Sequence, residues 1–308
     1  MQGRVIKSTG SWYNVRMDDG TLLSCRIKGK LRLISRRTTN PVNIGDLVLV
    51  DTEDGDSIIH EVLPRRNYII RQSARNRTAE HIIAANLDQA IIMATIAMPR
   101  TSTGFIDRFL VTATAYHVPA VVVFNKIDLY AKEELQYLDE LVKMYTDAGF
   151  QVVTTSAEKN INVDVMYELI KGKISLLAGH SGVGKSSLIN KIDPALDLRT
   201  AAIADFNQKG KHTTTFAEMF EMPFGGFIID TPGIKEFGIL DFDPSEVAQY
   251  FPEMARVMHE CRFNNCLHIN EPGCAVKDAL GNGSIAASRY QNYLSIIDEI
   301  RTDEKIYD

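Results

Sequence analysis

The sequence predicts an α/β fold with an added domain at each end, a small β-barrel before it and a mostly helical module after it. Three observations predict this. Residues 1–70 contain short runs in which apolar and polar side chains alternate, as in half-buried strands. From about residue 72, apolar runs alternate with helical stretches, which is typical of a largely parallel sheet covered by helices. From about residue 244, short predicted helices surround a cluster of cysteine and histidine residues, and a final helix is expected from about 285 to 302.

The amino-terminal segment is predicted to form a barrel of the OB type. Its Asp-Asp-Gly-Thr sequence at 18–21 is a tight hairpin turn. About five short strands in this length suit that barrel, a common oligonucleotide-binding fold. The strands are expected at 3–8, 12–17, 22–27, 47–50 and 57–62.

Charge is distributed unevenly along the chain. Residues 1–77 hold 14 Lys and Arg against 8 Asp and Glu, a balance of +6, whereas the remainder holds 20 against 31, a balance of −11. Basic residues concentrate at 26–32 and at 36–37. This asymmetry favours contact between the barrel and a polyanion, although ordinary charge scatter on a solvated surface is the alternative.

The middle of the chain carries the α/β pattern. Apolar strands are expected at 90–98, 120–124, 151–154, 174–178 and 227–229, with helices at 104–116, 131–148 and 163–171. No apolar stretch approaches 18 residues, and the first residues lack the apolar core of a secretory signal. We therefore expect a soluble, cytoplasmic protein that does not contact a membrane.

A phosphate-binding loop is predicted between an apolar strand and the start of a helix. Residues 179–186, Gly-His-Ser-Gly-Val-Gly-Lys-Ser, fit the pattern G-x-x-x-x-G-K-[ST]. The glycines let consecutive backbone N–H groups turn toward a phosphate, Lys185 supplies a positive charge, and Ser186 offers a hydroxyl to Mg²⁺. A plain glycine turn is the alternative.

A base-recognition loop is predicted at the end of another strand. Asn125, Lys126 and Asp128 belong to an Asn-Lys-Ile-Asp sequence that follows the apolar run 118–124. A carboxylate at Asp128 can accept hydrogen bonds from guanine N1–H and N2–H₂, a donor pair that adenine lacks. Ser156 and Ala157 follow the next strand and resemble the short loop that touches the guanine carbonyl. Together with the phosphate loop, these residues favour GTP over ATP.

The order of the motifs is the most specific feature of the chain. Asp230-Thr-Pro-Gly233 is a D-x-x-G sequence of the kind that senses Mg²⁺ and the γ-phosphate, and it follows the phosphate loop. In an ordinary GTPase the base-recognition motif comes last, whereas here it precedes both others. The sequence therefore predicts a circularly permuted GTPase domain.

A switch segment is predicted between the phosphate loop and Asp230. Within Gln-Lys-Gly-Lys-His-Thr-Thr-Thr at 208–215, we assign Thr214 to Mg²⁺, although spacing does not separate it from its two Thr neighbours. Ile234 follows Gly233, where a polar residue would help to orient the attacking water. His212 is the nearest polar candidate for that role, and a solvent-exposed loop histidine is the alternative.

A metal site is predicted near the carboxyl end. Cys261, Cys266, His268 and Cys274 form the pattern C-x₄-C-x-H-x₅-C, a closed tetrahedral set for one structural Zn²⁺. The alternative is buried free cysteines beside an unrelated histidine, and His259 is a nearby spare. Cys25 lies in a predicted strand and is expected to be a buried small hydrophobic residue.

Together, the permuted order, the Lys-His-Thr-Thr-Thr segment, the barrel and the cysteine–histidine spacing resemble the ribosome-small-subunit-dependent GTPase A family, over essentially the whole chain. The resemblance implies an OB-fold nucleic-acid-binding domain at 1–70, a permuted GTPase domain at 71–240 and a zinc-binding domain with a carboxyl-terminal helix at 241–308. It implies a cytoplasmic GTPase, expected to be a monomer, that acts late in maturation of the 30S ribosomal subunit. Its partners would be that subunit and its rRNA together with GTP and GDP, and the subunit would stimulate hydrolysis.

The resemblance also implies roles for individual residues. His212 matches the proposed catalytic histidine, and Asp230 and Gly233 match the γ-phosphate sensor. The four predicted zinc ligands match those of the family. The phosphate-binding set is Gly179, His180, Ser181, Gly182, Val183, Gly184, Lys185, Ser186 and Ser187, and the guanine set is Asn125, Lys126 and Asp128.

Two other functions remain open from the sequence. The chain would be an rRNA-binding assembly factor if GTP were only a regulatory ligand and turnover were incidental. A P-loop ATPase is the other possibility, and it conflicts with the Asn-Lys-Ile-Asp sequence at 125–128.

Overall fold

The computed structural model describes residues 1–29, 31, 40–53, 55–71, 81–196, 218–230 and 242–305. Within those ranges the strands are β1 Gln2–Ser8, β2 Tyr13–Met17, β3 Leu22–Ile27, β4 Leu47–Glu53, β5 Asp56–Val62, β6 Tyr68–Arg71, β7 His81–Ala85, β8 Gln89–Ala94, β9 Ala120–Phe124, β10 Gln151–Thr154, β11 Ile174–Ala178, β12 Glu218–Glu221 and β13 Phe227–Asp230. The helices are α1 Thr103–Ala115, α2 Lys132–Ala148, α3 Val163–Ile170, α4 Lys185–Ile192, α5 Pro252–Ala255, α6 Ala275–Gly281 and α7 Ala287–Lys305.

The five strands β1 to β5 form the predicted amino-terminal barrel. Strand β1 pairs with both β2 and β4, and β3 pairs in parallel with β5, so the strands close on themselves. The inward-facing side chains of alternate positions, such as Val5, Val15 and Ile59, are completely buried in one cluster. Alternation of buried and exposed residues is what a half-buried strand requires.

The predicted α/β domain is confirmed. Strands β10, β9, β8, β11 and β13 lie side by side in that order and are all parallel, with β12 antiparallel at the next position. The expected strand at 90–98 ends early, at Ala94. There, Thr95 exchanges hydrogen bonds with Thr101, since its N–H donates to Thr101 Oγ1 (3.2 Å) and its carbonyl accepts from Thr101 N (2.8 Å). The segment therefore closes into a loop instead of extending the sheet.

The barrel and the α/β domain share one continuous sheet. Strand β1 of the barrel pairs with β12 at Lys7 and Glu218, whose side chains also form a 2.7 Å ion pair. A second ion pair joins Arg16 of the barrel to Glu221, at 3.2 Å. The pairing positions the barrel against the strand that leads into β13.

The carboxyl-terminal module is mostly helical, as predicted. Helix α7 packs against α1, and its buried face meets the α5 region through Phe251, Tyr293 and Ile297. In the parts of the chain that the structure describes, no helix combines the length and the apolar character needed to cross a bilayer.

Candidate nucleotide site and metal centre

The predicted nucleotide-binding loops meet at one edge of the sheet. The base-recognition loop follows β9, the loop with Ser156 and Ala157 follows β10, and the phosphate loop follows β11. Asp230 ends β13. These strands are parallel, so their carboxyl ends lie together, and open α/β sheets bind ligands at that edge.

The phosphate loop needs its glycines for backbone conformation and close packing. Gly179, Gly182 and Gly184 all have positive φ, at 141°, 86° and 95°. A β-carbon at Gly179 would collide with the carbonyl oxygen of Met93, and one at Gly184 would collide with the side-chain amide of Asn125. The loop is therefore pressed against the end of β8 and against the loop that follows β9 before it enters α4.

Lys185 lies at the first position of α4 and folds across the loop. Its Nζ donates hydrogen bonds to the carbonyls of Gly179 (2.7 Å) and His180 (3.1 Å). Burial lowers the pKa of Lys185, and the nearby carboxylate of Asp230 opposes that effect. A cation held in a poorly hydrated, glycine-rich loop at the start of a helix is suited to receive phosphate oxygens.

His180 of the phosphate loop stacks on a residue that the sequence did not single out. The ring of Phe105, in the first turn of α1, lies 4.0 Å from the imidazole with an interplanar angle of 28°. Burial and the charge of Lys185 lower the pKa of His180, so the stacked imidazole is neutral at pH 7. The stack joins the phosphate loop to α1.

Asn125 connects three loops through its side-chain amide. Its Nδ2 donates to the carbonyl of Val183 in the phosphate loop (2.9 Å), and its Oδ1 accepts from Thr155 Oγ1 (3.0 Å). The residue is almost completely buried. Asn125 therefore sets the distance between the base-recognition loop and the phosphate loop.

The rest of the base-recognition loop has a constrained backbone. Lys126 is left-handed, with φ of 65°, and its Nζ donates to the carbonyl of Met98 at 2.9 Å. Asp128 lies in the 3₁₀ turn Ile127–Leu129 and is partly exposed. On the adjacent loop, buried Ser156 exchanges two backbone hydrogen bonds with Ile161, and Ala157 is partly buried.

Other predicted site residues divide into two groups. Ser181, Ser186 and Ser187 lie in the described loop and helix, where Ser181 and Ser187 are exposed and Ser186 is partly buried. His212, Thr214 and Gly233 lie outside the described residues.

The four predicted metal ligands come together in the carboxyl-terminal module. Nδ1 of His268 lies 3.5 Å from Sγ of Cys261 and 3.3 Å from Sγ of Cys274, and those two sulfurs are 4.0 Å apart. With Cys266 included, all four ligand atoms lie within 4.8 Å of one another. A tetrahedral zinc site requires nitrogen–sulfur distances of about 3.5 Å and sulfur–sulfur distances of about 3.8 Å. The donor set therefore fits Zn²⁺ in both chemistry and size.

Burial changes the pKa values of the groups in the cluster. Burial raises the pKa of Cys266 to about 12 and raises that of Cys274, while burial lowers the pKa of His268. The imidazole is thus neutral and able to donate an electron pair. The thiols resist ionisation unless a cation compensates their charge.

Glu271, which the sequence did not single out, shapes the ligand loop. Its carboxylate accepts hydrogen bonds from the backbone N–H groups of Leu267 (3.0 Å), Ile269 (2.9 Å) and Asn270 (3.0 Å). Burial alone would raise the pKa of Glu271, but these donors lower it. The anchored turn holds His268 in its left-handed conformation, with φ of 58°.

Comparisons with known proteins identify the same family over nearly the whole chain. A family model described as RsgA GTPase matches residues 62–240, and one described as RsgA N-terminal domain matches residues 2–59. Proteins named small ribosomal subunit biogenesis GTPase RsgA are 49% identical over 300 residues in Bacteroides fragilis and 50% identical over 305 residues in Porphyromonas gingivalis. Each alignment covers 97% of both chains.

Solved structures agree with the sequence relatives. The crystal structure of YjeQ from Thermotoga maritima matches with a TM-score of 0.79 and 38% identity, covering 97% of each chain. That of YloQ, described as a circularly permuted GTPase, matches with a TM-score of 0.75 and 27% identity, covering 98% of this chain and 95% of that one. The predicted permuted order is confirmed by the fold, in which the base-recognition loop precedes the phosphate loop. The chain belongs to the RsgA GTPase family and is a GTP-hydrolysing enzyme.

Proposed function

We propose that this enzyme binds the small ribosomal subunit and acts in its late maturation, with GTP hydrolysis stimulated by the subunit. One observation supports the nucleotide part of this proposal. The side-chain amide of Asn125 donates to the carbonyl of Val183 at 2.9 Å and so holds the base-recognition loop against the phosphate loop. The small ribosomal subunit is supported as the partner by the name of a relative that is 49% identical to this chain, small ribosomal subunit biogenesis GTPase RsgA.

In the nucleotide site, each loop has one task. Asp128 reads the guanine N1–H and N2–H₂ groups, Lys126 lies along the base, and Ser156 and Ala157 approach the guanine carbonyl. The phosphate loop and Lys185 surround the phosphates and stabilise charge that develops on them during hydrolysis. The phosphate-binding set is Gly179, His180, Ser181, Gly182, Val183, Gly184, Lys185, Ser186 and Ser187.

Mg²⁺ is the second component of that site. Ser186 and Thr214 would hold it, and it would neutralise charge on the β- and γ-phosphates. Asp230 and Gly233 sense the γ-phosphate, and His212 orients the attacking water.

The metal of the cysteine–histidine cluster is Zn²⁺ in a structural role. Three thiolates and one imidazole leave no ligand position open for water. The domains proposed are the OB-fold domain at 1–70, the permuted GTPase domain at 71–240 and the zinc domain at 241–308. The protein works as a cytoplasmic monomer.

The barrel supplies a surface suited to rRNA. The guanidinium of Arg26 lies 4.3 Å above the ring of Trp12, which is 39% exposed. The two residues line a groove of about 310 Å³ together with Ser11, Ile27 and Gly29. An exposed aromatic ring with an arginine next to it is typical of sites where an unpaired base stacks.

Hydrolysis measured on the full chain with and without purified small subunits tests the proposal. We expect slow intrinsic turnover and a large stimulation by subunits. Subunit binding should be stronger with a non-hydrolysable GTP analogue than with GDP, and should weaken with salt because Lys28 and its basic neighbours meet phosphates. Nucleotide-dependent binding without any stimulated turnover would instead identify an rRNA-binding assembly factor in which GTP is only a regulatory ligand.

A further inference from the structure

Tyr130 forms a bridge between two loops of the nucleotide site. Its ring is buried in the main core of the α/β domain, with 8% of the residue exposed. Its hydroxyl donates to the backbone carbonyl of Asn125 at 2.6 Å and accepts from the backbone N–H of Ile96 at 3.1 Å. One side chain thus satisfies a buried acceptor after β9 and a donor after β8.

The carbonyl that Tyr130 holds belongs to the peptide that precedes Lys126. Lys126 has a left-handed backbone, which non-glycine residues rarely adopt without support. The peptide after Lys126 is anchored as well, since Ile127 N–H donates to the carbonyl of Thr155 at 3.2 Å. Both peptide planes that flank Lys126 are therefore held from outside the loop, and Asp128 follows directly.

The loop at 95–101, which contains Ile96, is itself tied to the site. The Lys126 ammonium binds the carbonyl of Met98 at 2.9 Å. Pro99 lies beside the phosphate loop, within 3.5 Å of the place where a β-carbon on Gly182 would stand. The Tyr130 hydroxyl therefore connects the base-recognition loop to a segment that lies beside the phosphate loop.

From these contacts we propose that Tyr130 is a positioning residue for guanine selectivity, which holds Asp128 where it can reach both donor groups of the base. The inference rests on the base-reading role of Asp128 in the proposed function. Burial raises the pKa of Tyr130 to about 12, so its hydroxyl remains a hydrogen-bond donor at neutral pH.

Tyr130→Phe tests this, because it removes the hydroxyl and keeps the ring in the core. The full chain is titrated with GDP and with IDP, whose hypoxanthine base lacks the N2 amine, in competition with a fluorescent guanine nucleotide. Loss of one bridging hydroxyl should weaken GDP binding about fivefold to tenfold. IDP should be affected less, because it offers Asp128 only one donor, so the preference for GDP over IDP should fall. The KM for GTP should rise with kcat within about twofold of the original value.

Tyr145→Phe is the matched control. Tyr145 is buried in the same core, and its hydroxyl lies beside Asp107, away from the base-recognition loop. This variant should leave the GDP-to-IDP preference unchanged. A Tyr130→Phe protein that loses only stability, with an unchanged preference, would overturn the inference.

Asp128→Asn distinguishes the positioning role of Tyr130 from the base-reading role of Asp128. If this variant loses its preference for GDP over IDP while Tyr130→Phe keeps it, the positioning role of Tyr130 is wrong and the base-reading role of Asp128 stands. If Asp128→Asn keeps the preference, the base-reading role in the proposed function is itself wrong.

Discussion

The Arg289 guanidinium and the Asp107 carboxylate form an ion pair, 2.6 Å between Nη1 and Oδ1, in which both side chains are almost completely buried. Asp107 belongs to α1 of the GTPase domain and Arg289 to α7 of the carboxyl-terminal module. Glu253 accepts hydrogen bonds from the Nε and Nη2 edge of the guanidinium, at 2.7 Å and 3.0 Å. Burial alone would lower the pKa of Arg289, but the two carboxylates raise it, so the group stays charged.

This pair makes α1 the link between the two halves of the molecule. Two residues before Asp107, Phe105 stacks on His180 of the phosphate loop. On α7, Asn292 adds a 2.6 Å hydrogen bond to the second oxygen of Asp107. The carboxyl-terminal module is therefore anchored to the helix whose first turn contacts the nucleotide site.

Arg289→Met should destabilise the protein by about 3–5 kcal/mol, because two buried carboxylates lose their only cation among the described residues. The free energy of unfolding in urea measures this. Arg108→Met is the matched control, since Arg108 pairs with Glu299 across the same two helices at the surface. Its loss should stay within about 1 kcal/mol. Equal losses in both variants would contradict a special role for the buried pair.

Asp128→Asn should weaken GTP binding and raise the relative affinity for xanthosine nucleotides. An amide can donate a hydrogen bond to the carbonyl that xanthine carries where guanine has an amine. Competition binding with the two diphosphates measures the change in preference. Asp193→Asn, at the end of α4, serves as a control that should keep guanine preference. If Asp128→Asn weakens the binding of both nucleotides equally, Asp128 does not read the base.

Cys266→Ala should lower the bound zinc below one ion per chain and unfold the carboxyl-terminal region locally, since structural zinc supplies folding energy. Metal content by elemental analysis and limited proteolysis measure the two effects. Cys25→Ala is the control, because Cys25 is buried in the barrel, away from the cluster. Full zinc content in Cys266→Ala would show that the ligand set is wrong.

His212→Ala should remove most subunit-stimulated hydrolysis, on the order of 10²-fold, as expected for a positioned polar group. GTP affinity and the slow intrinsic rate should change far less. Single-turnover hydrolysis with and without small subunits measures this, with the exposed His259→Ala as control. Stimulated turnover at the original level would exclude His212 and leave the ribosome as the donor of the missing group.

Several parts of the site could be predicted from sequence because they depend on local pattern. Strands at 120–124, 151–154 and 174–178 have the predicted bounds, since continuous apolar runs indicate buried parallel strands. The phosphate-loop glycines and the cluster of three cysteines and one histidine were predicted through fixed spacing, which requires no knowledge of distant residues. The roles of all the predicted site residues stay predictions, and His212, Thr214 and Gly233 also lie outside the described residues.

What the sequence by itself determined was thus most of the strands and helices, the permuted motif order and the cysteine–histidine spacing, whereas β6, β7 and β12 were not predicted. Only the tertiary structure decided that Arg289 meets Asp107 across 182 positions, that β1 joins β12 across the domain boundary, and that Tyr130 holds Asn125 to Ile96. Periodicity and motif spacing report which face of an element is buried, but not which distant element covers it. The partner of each element depends on how whole elements pack. A single buried Arg or Tyr, or a single pairing between two strands, leaves no periodic signal along the chain.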